Sequence, residues 1–212
     1  MKVKLLSITP NAEHHIVEVA RVSSSRKNKK QNYESLIRYL IVNKHWSPFE
    51  HSYMTFEIET SKAIAIQLLR HRSFTFQEFS QRYQDVNLLS DGRSIFEPID
   101  LRWQAESNRQ SSSESMNSAV LNSKVDMVLA ACEQLYNNLI ESGVSRETAR
   151  FILPLATKTT IHMTGSVRSW IHFIQIRDDH HAQKEIRVIA NTIKHIFAEQ
   201  LPITSNSLKF TV

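Results

Sequence analysis

Three glycines in 212 residues restrict this chain more than any other feature of its sequence. Gly92, Gly143 and Gly165 are too few and too scattered to build a GxGxxG dinucleotide turn or a GxxxxGK phosphate loop. A bound phosphate therefore has to be held mainly by side chains or helix ends. The length and the mass of 24.6 kDa suit one domain, residues 1–212, with a sizeable core. Apolar residues make up 41% and charged residues 22%, which favours neither disorder nor a membrane class. No apolar run approaches the roughly 20 residues that span a bilayer, and MKVKLLSITPNAEHH is too short and polar for a secretory signal, so a cytoplasmic location is expected. Cys132 is the single cysteine; no intramolecular disulfide or multi-cysteine metal site can form, and a reducing compartment agrees with this.

The hydrophobic pattern changes period along the chain. Residues 1–9 read as an edge strand ending at Pro10, and a short helix opens after an Asn11 cap. Residues 33–43 carry Leu36, Ile37, Leu40 and Ile41 at helical spacing, and Pro48 makes HWSPFEH (45–51) a turn. From Ser52 the period becomes two, with Met54, Phe56 and Ile58 on one face: the clearest strand. A helix over 61–72 meets Arg70-His71-Arg72, after which FTFQEFSQRY is extended or looped. The polar stretch 104–118 reads as a surface loop or solvated helix start, leading into a long amphipathic helix through about Glu141. Val125, Val128, Leu129, Cys132, Leu135 and Leu139 would face the core from it. A strand over 155–165 and helices over 167–177 and 181–200 follow, the last with a stripe of Ile186, Ile189, Ile193 and Ile196 ending before Pro202. The fold class is α+β: a single domain with long central helices packed on an antiparallel sheet.

Lys and Arg outnumber Asp and Glu by 26 to 21, a net +5 that suits an anionic partner, either nucleic acid or a phosphorylated metabolite. Gln67, Arg70 and His71 share a helix face at i, i+3 and i+4, and Glu78, Ser80 and Arg82 follow closely. Such a set supplies bidentate guanidinium contacts and hydroxyl donors to an anion. The basic run 26–30 reads as a solvated loop. The ten histidines show no metal-like spacing, so no metal site is expected. A basic helical nucleic-acid-binding protein is the competing reading, since Phe74, Phe76, Phe79 and Tyr83 interleave the cationic cluster.

RHRSFTFQEFSQRY (70–83) resembles the signature of the flavin-dependent thymidylate synthases, in which RHR is followed after seven residues by Ser and then by Arg-Tyr. HWSPFEH resembles the family's His-x-x-Pro-Phe-Glu-His segment, and ARVS (20–23), RETARFILP (146–154) and RSWIHFIQIRDDHHAQKEI (168–186) resemble others in order and spacing. The likeness spans roughly residues 20 to 203 and omits the Ser-rich 104–118 region. Thr75, Gln77 and Ser166 depart from the commonest family residues but stay polar. The resemblance implies reductive methylation of dUMP to dTMP, with FAD as mediating cofactor, NADPH as reductant and methylenetetrahydrofolate as one-carbon donor, in a homotetramer whose sites are shared between subunits. It implies no nucleic-acid or membrane partner. Residue by residue, it implies that Ser23, His71, Arg72, Glu78, Arg168, His172 and His181 contact FAD. Gln67, Arg70, Glu78, Ser80, Gln81, Arg82, Arg150 and Arg177 would hold dUMP, Arg150 reaching its phosphate from a neighbouring subunit. Arg177, Arg70, Ser80 and His45 take the catalytic roles in this likeness, with Arg177 on the uracil ring and His45 beside flavin and folate. Asp179 is expected to cap the last long helix.

Overall fold

The computed structural model describes residues 1–23, 32–90, 92, 94–106, 108–109 and 111–210; the 26–30 run lies outside the described residues. The chain divides into two compact units. The first comprises Met1, Glu59–Arg70 and Gln77–Ile161; the second comprises Lys2–Ile58, His71–Phe76 and His162–Val212. Four strands form one sheet in the order β1 (Lys2–Ile8), β2 (Tyr53–Ser61), β6 (Lys158–Ser166) and β3 (Thr75–Glu78), with β1 at an edge as its pattern predicts. Side-chain pairs Thr55–Thr164 and His162–Glu57, at 3.0 Å each, rise along β2 as they fall along β6, so the two strands are antiparallel. The chain is α+β.

Within the second unit, Met54, Phe56 and Ile58 on β2 are fully buried, as their alternation requires. Helix α6 (Val167–Arg177) is fastened to this strand: Trp170 Nε1 donates to the Met54 carbonyl at 3.0 Å, and the Phe56 and Trp170 rings meet edge-on at 4.8 Å. Ser166 caps α6 by accepting the Ser169 N–H at 3.2 Å. Gly165 lies beneath Phe74, where a Cβ would come about 2.5 Å from the ring's Cε1. Helices α1 (Ala12–Val22) and α2 (Tyr33–Val42) form where the periodicity places them, but the first differs at its cap. Asn11 adopts a left-handed conformation at φ 49° and makes no side-chain cap bond. Glu13, buried at 7% exposure, instead accepts the Thr204 N–H at 2.7 Å, and burial raises its pKa. Residues 45–51 are not a simple turn, since Ser47–His51 makes a 3₁₀ helix with Pro48 in its first turn.

In the first unit the helix after β2 is shorter than its apolar run, ending as α3 at Lys62–Leu68. The Ser-rich segment is in part a strand, since β4 (Arg102–Gln104) pairs antiparallel with β5 (Ser112–Ser115), and at its end Ser118 starts the next helix, its hydroxyl accepting the Leu121 N–H at 3.3 Å. Polar side chains tie this hairpin, with Arg102 Nε donating to Ser112 Oγ at 2.8 Å. Helix α4 (Ala119–Glu141) has the expected length, but only Tyr136 is buried on it. Leu129, Cys132 and Leu139 pack partly against a core of Val86, Ile95, Phe96, Tyr136 and Ala149. Val128 and Leu135 do not reach it and stay 62% and 48% exposed.

The last long helix also starts later than its pattern. It runs as α7 (Lys184–Gln200) after an uncapped Gln183, so Asp179 is not its cap. Asp179 instead closes a turn, accepting the His181 N–H at 2.8 Å. Helix α7 ends at Gln200, before Pro202 as expected, and Pro202 opens a further helix, α8 (Pro202–Leu208), at a position that needs no N–H. Ile186, Ile189 and Ile193 are buried with Phe197, and Ile196 is half-buried. Among the described residues no helix is long and apolar enough to cross a membrane.

Candidate active site

The second unit holds a cavity of about 520 Å³ at the start of α6. Its polar wall is built on Glu50, whose Oε1 accepts from Arg168 Nη1 at 2.6 Å and whose Oε2 accepts from the Ser166 hydroxyl at 2.8 Å. Ser169 extends the network to the Ser73 carbonyl at 3.4 Å, and Trp46, Ile171 and His172 complete the lining. A cation paired with a carboxylate, serine hydroxyls and an aromatic face thus line a space where a polar ligand carrying a flat ring can be held. Arg168 and His172 both line it, one helical turn apart as the i, i+4 spacing requires.

The same unit joins His71 to Arg177. Arg177 Nε donates to His71 Nε2 at 3.0 Å, so the imidazole is neutral and carries its proton on Nδ1. Phe173 and Phe74 stand edge-on to the ring, at 4.9 and 6.2 Å. Burial, and then the charges of Arg177 and His172, push the His71 pKa down to about 4. Burial also lowers that of Arg177.

A second cavity, of about 290 Å³, belongs to the first unit and is lined by Glu78, Gln81, Arg150, Lys62 and Thr157, with apolar walls that include Leu69 and Leu153. The chain turns at Ser80, whose carbonyl accepts from the Tyr83 and Gln84 N–H groups at 3.1 and 2.9 Å. That turn sends Gln81 inward and Arg82 outward. Gln81 is 8% exposed, and its Nε2 has no hydrogen-bond partner among the described residues. Arg82 reaches Glu147 at 3.4 Å on the surface, and Arg150 Nε donates to the Glu147 carbonyl at 3.3 Å.

The sequence-predicted residues therefore separate by unit. Gln67, Arg70, Glu78, Ser80, Gln81, Arg82 and Arg150 belong to the first, and Ser23, His45, His71, Arg72, Arg168, His172, Arg177 and His181 to the second. Ser23, His45, Arg72 and His181 are exposed and line neither cavity. Ser23 gives its hydroxyl to the Ala20 carbonyl at 3.3 Å, and the His45 ring stands edge-on to Tyr39 at 5.7 Å. His181 Nδ1 is 2.7 Å from Asp179, and together with His180 these are the one group among the described residues whose ligating atoms lie within 4.8 Å of one another. Sequence reasoning missed Glu50, Lys62, the Ser73 carbonyl and the Ser169 hydroxyl, and named Ser166 only as a departure from the commonest family residue. Glu50 was visible inside the quoted HWSPFEH segment; Lys62 had no signal beyond being a lone cation at the head of an apolar helix.

The model of the family described as "Thymidylate synthase complementing protein" matches residues 4–203. A probable flavin-dependent thymidylate synthase of Paramecium bursaria Chlorella virus 1 is 39% identical, over 98% of this chain and 99% of its own. The chain belongs to the flavin-dependent thymidylate synthase family. Another member, from Synechocystis, is 40% identical over 92% of this chain and 88% of its own. Among solved structures, the UMP/dUMP methylase PolB from Streptomyces cacaoi, bound with 5-Br dUMP, superposes with a TM-score of 0.83 at 27% identity, covering 98% of this chain and 94% of that one. As a family member this chain is an α+β enzyme, and of its predicted site residues Arg168 and His172 line the first cavity and Glu78, Gln81 and Arg150 the second.

Proposed function

We propose that this chain, acting as one functional domain in the cytoplasm, methylates dUMP to dTMP, with FAD as bound cofactor, NADPH as reductant and methylenetetrahydrofolate as one-carbon donor. Membership of the family over residues 4–203 supports the reaction. The geometric observation that carries the assignment of roles is the Arg177–His71 bond, which holds an arginine by its Nε and leaves its terminal nitrogens for a ligand. Aimed at a uracil ring, that fixed positive charge stabilises negative charge developing on the base.

The 520 Å³ cavity fits FAD by its donor set. Arg168, His172 and the Ser166 and Ser169 hydroxyls would hold the cofactor there, with Ser23, Arg72, Glu78 and His181 as further contacts and His45 beside it. FAD, when bound, supplies the electron transfer between NADPH and the one-carbon unit. The protein's own share is binding and orientation. Arg82 and Arg150 hold the nucleotide phosphate, and Gln67, Arg70, Glu78, Ser80 and Gln81 order the rest of dUMP. A homotetramer sharing these sites is supported by α4, where Val120, Met127 and Val128 are each more than 60% exposed in the single chain.

The test is direct. Purified protein should be yellow with a flavin spectrum, and it should form dTMP from dUMP only when NADPH and methylenetetrahydrofolate are both present. Colourless protein that takes up no added FAD, or binding of DNA or RNA that falls steeply with salt, overturns the reading.

A further inference from the structure

We infer that Lys62 is a positioning residue of the nucleotide pocket, acting through Glu78; the inference rests on the proposed function's assignment to dUMP of Glu78, Gln81 and Arg150, which line the 290 Å³ cavity. Lys62 Nζ donates to Glu78 Oε1 at 2.9 Å, and Thr159 Oγ1 donates to the same oxygen at 2.9 Å. Neither donor engages Oε2. The carboxylate is thereby fixed in rotation, with one oxygen held by the protein and the other left to a ligand.

The backbone around this pair is equally constrained. Lys62 and Ala63 open α3 by donating their N–H groups to the Thr157 and Leu155 carbonyls at 2.9 and 3.0 Å, and both acceptors line the same cavity. Phe79 N–H donates to the Thr160 carbonyl at 2.9 Å, which fixes the chain next to Glu78. Gln81 lines this cavity as well, and its Nε2 is buried with no hydrogen-bond partner among the described residues. An acceptor on Glu78 and an unmet donor on Gln81 together match an edge that both donates and accepts, such as a hydroxyl or a pyrimidine N–H beside its carbonyl.

A carboxylate lining a pocket for a phosphorylated ligand is electrostatically adverse unless its charge is compensated. The Lys62 and Glu78 side chains are only 25% and 22% exposed, so water screens the pair incompletely. Lys62 is the compensating cation. Without it Glu78 keeps only the neutral Thr159 donor, turns more freely and faces the nucleotide with its charge unbalanced.

The experiment uses FAD-loaded full-length enzyme, with dUMP titrated against the flavin absorbance and kinetics run at saturating NADPH and methylenetetrahydrofolate. Lys62→Met should weaken dUMP binding about tenfold and raise KM for dUMP to match, as expected for one charge-assisted contact. The kcat should stay within about threefold, because the pair acts on ground-state binding of the nucleotide. Lys62→Arg should restore most of the affinity, and in a Glu78→Gln background Lys62→Met should add no further loss. Should Lys62→Met fold poorly, Lys62→Gln in the same cycle gives the same test. Binding of dUMP by Lys62→Met within about twofold of wild type overturns the inference, as does a loss that persists in full beside Glu78→Gln. Wild-type enzyme that binds FAD but no dUMP removes the functional reading itself, a result distinct from either.

Discussion

Protonation of His71 should unlock Arg177, and it should do so only in acid. An ordinary histidine with a pKa near 6.5 is mostly charged at about pH 5. His71, pushed down to about 4, keeps roughly ten neutral rings for each charged one at that pH. Its Nε2 therefore goes on accepting from Arg177 until the pH nears 4, where the ring gains a proton there, loses the lone pair and becomes a second cation facing Arg177, with His172 as a third. Because the folded pKa lies below the unfolded one, the unfolded chain binds the extra proton first. The stabilisation from a neutral His71 is thus complete above about 6.5 and is lost as pH falls from there towards 4. The gap between those values corresponds to about 3 kcal/mol at roughly 1.4 kcal/mol for each tenfold step. His71 is only half-buried, so solvent screening reduces this to about 1–2 kcal/mol. Nitrogen-15 NMR of the histidine rings reads the tautomer and the midpoint together. The expected spectrum shows His71 unprotonated at Nε2 from pH 7 to about 5, with turnover falling only below that. A proton on Nε2 at pH 7, or a midpoint above 6, would refute the assigned geometry.

Two further substitutions check other parts of the structure. Cys132→Ala, at a half-buried thiol on the α4 face, should cost about 1 kcal/mol or less by thermal melting while dTMP formation stays within a few-fold of wild type, since the proposed chemistry needs no thiol nucleophile; a folded, FAD-loaded mutant without activity would contradict it. Gly165→Ala should be far worse despite adding one methyl. The new Cβ collides with the Phe74 ring, itself packed edge-on against Trp170 at 4.6 Å, so a loss of about 1–3 kcal/mol and weakened flavin retention are expected, and an unchanged melting temperature would show that Phe74 yields freely.

What the sequence disclosed depended on whether one physical signal acted alone. β2 and α6 carry strong periodicities that agree with their burial, and both lie where the pattern puts them. The Ser112–Ser115 strand has no apolar residue to alternate and is held by its pairing with β4 and by the Arg102 side chain on Ser112, so no pattern could show it. On α4 the apolar residues spread around the helix, and one chain's core reaches only the Cys132 side. Asp179 offered a cap signal that the structure uses two residues on, at His181. In the site, RHR and Arg177 were visible as motif residues, but their pairing joins positions 106 apart. Thr159 reaches Glu78 across 81 positions. Such contacts are products of sheet order, and local spacing does not encode them.

The spacing within RHRSFTFQEFSQRY follows from that sheet. Arg70 belongs to the first unit, His71–Phe76 to the second, and Gln77 onward to the first again, so one short segment delivers residues to both sets. Along β3 exposure alternates: Thr75 and Gln77 are exposed, Phe76 and Glu78 half-buried. Glu78 lines the pocket because it stands an even number of residues from Phe76 on the pleat. A one-residue slip would put Gln77 in its place, and a neutral amide cannot answer Lys62 as a carboxylate does. Phe74, packed against Gly165, and Phe79, bonded to Thr160, fix the register from either end. The length of the segment between RHR and Ser80 is thus set by strand geometry, with Thr75 and Gln77 on the exposed face of the strand.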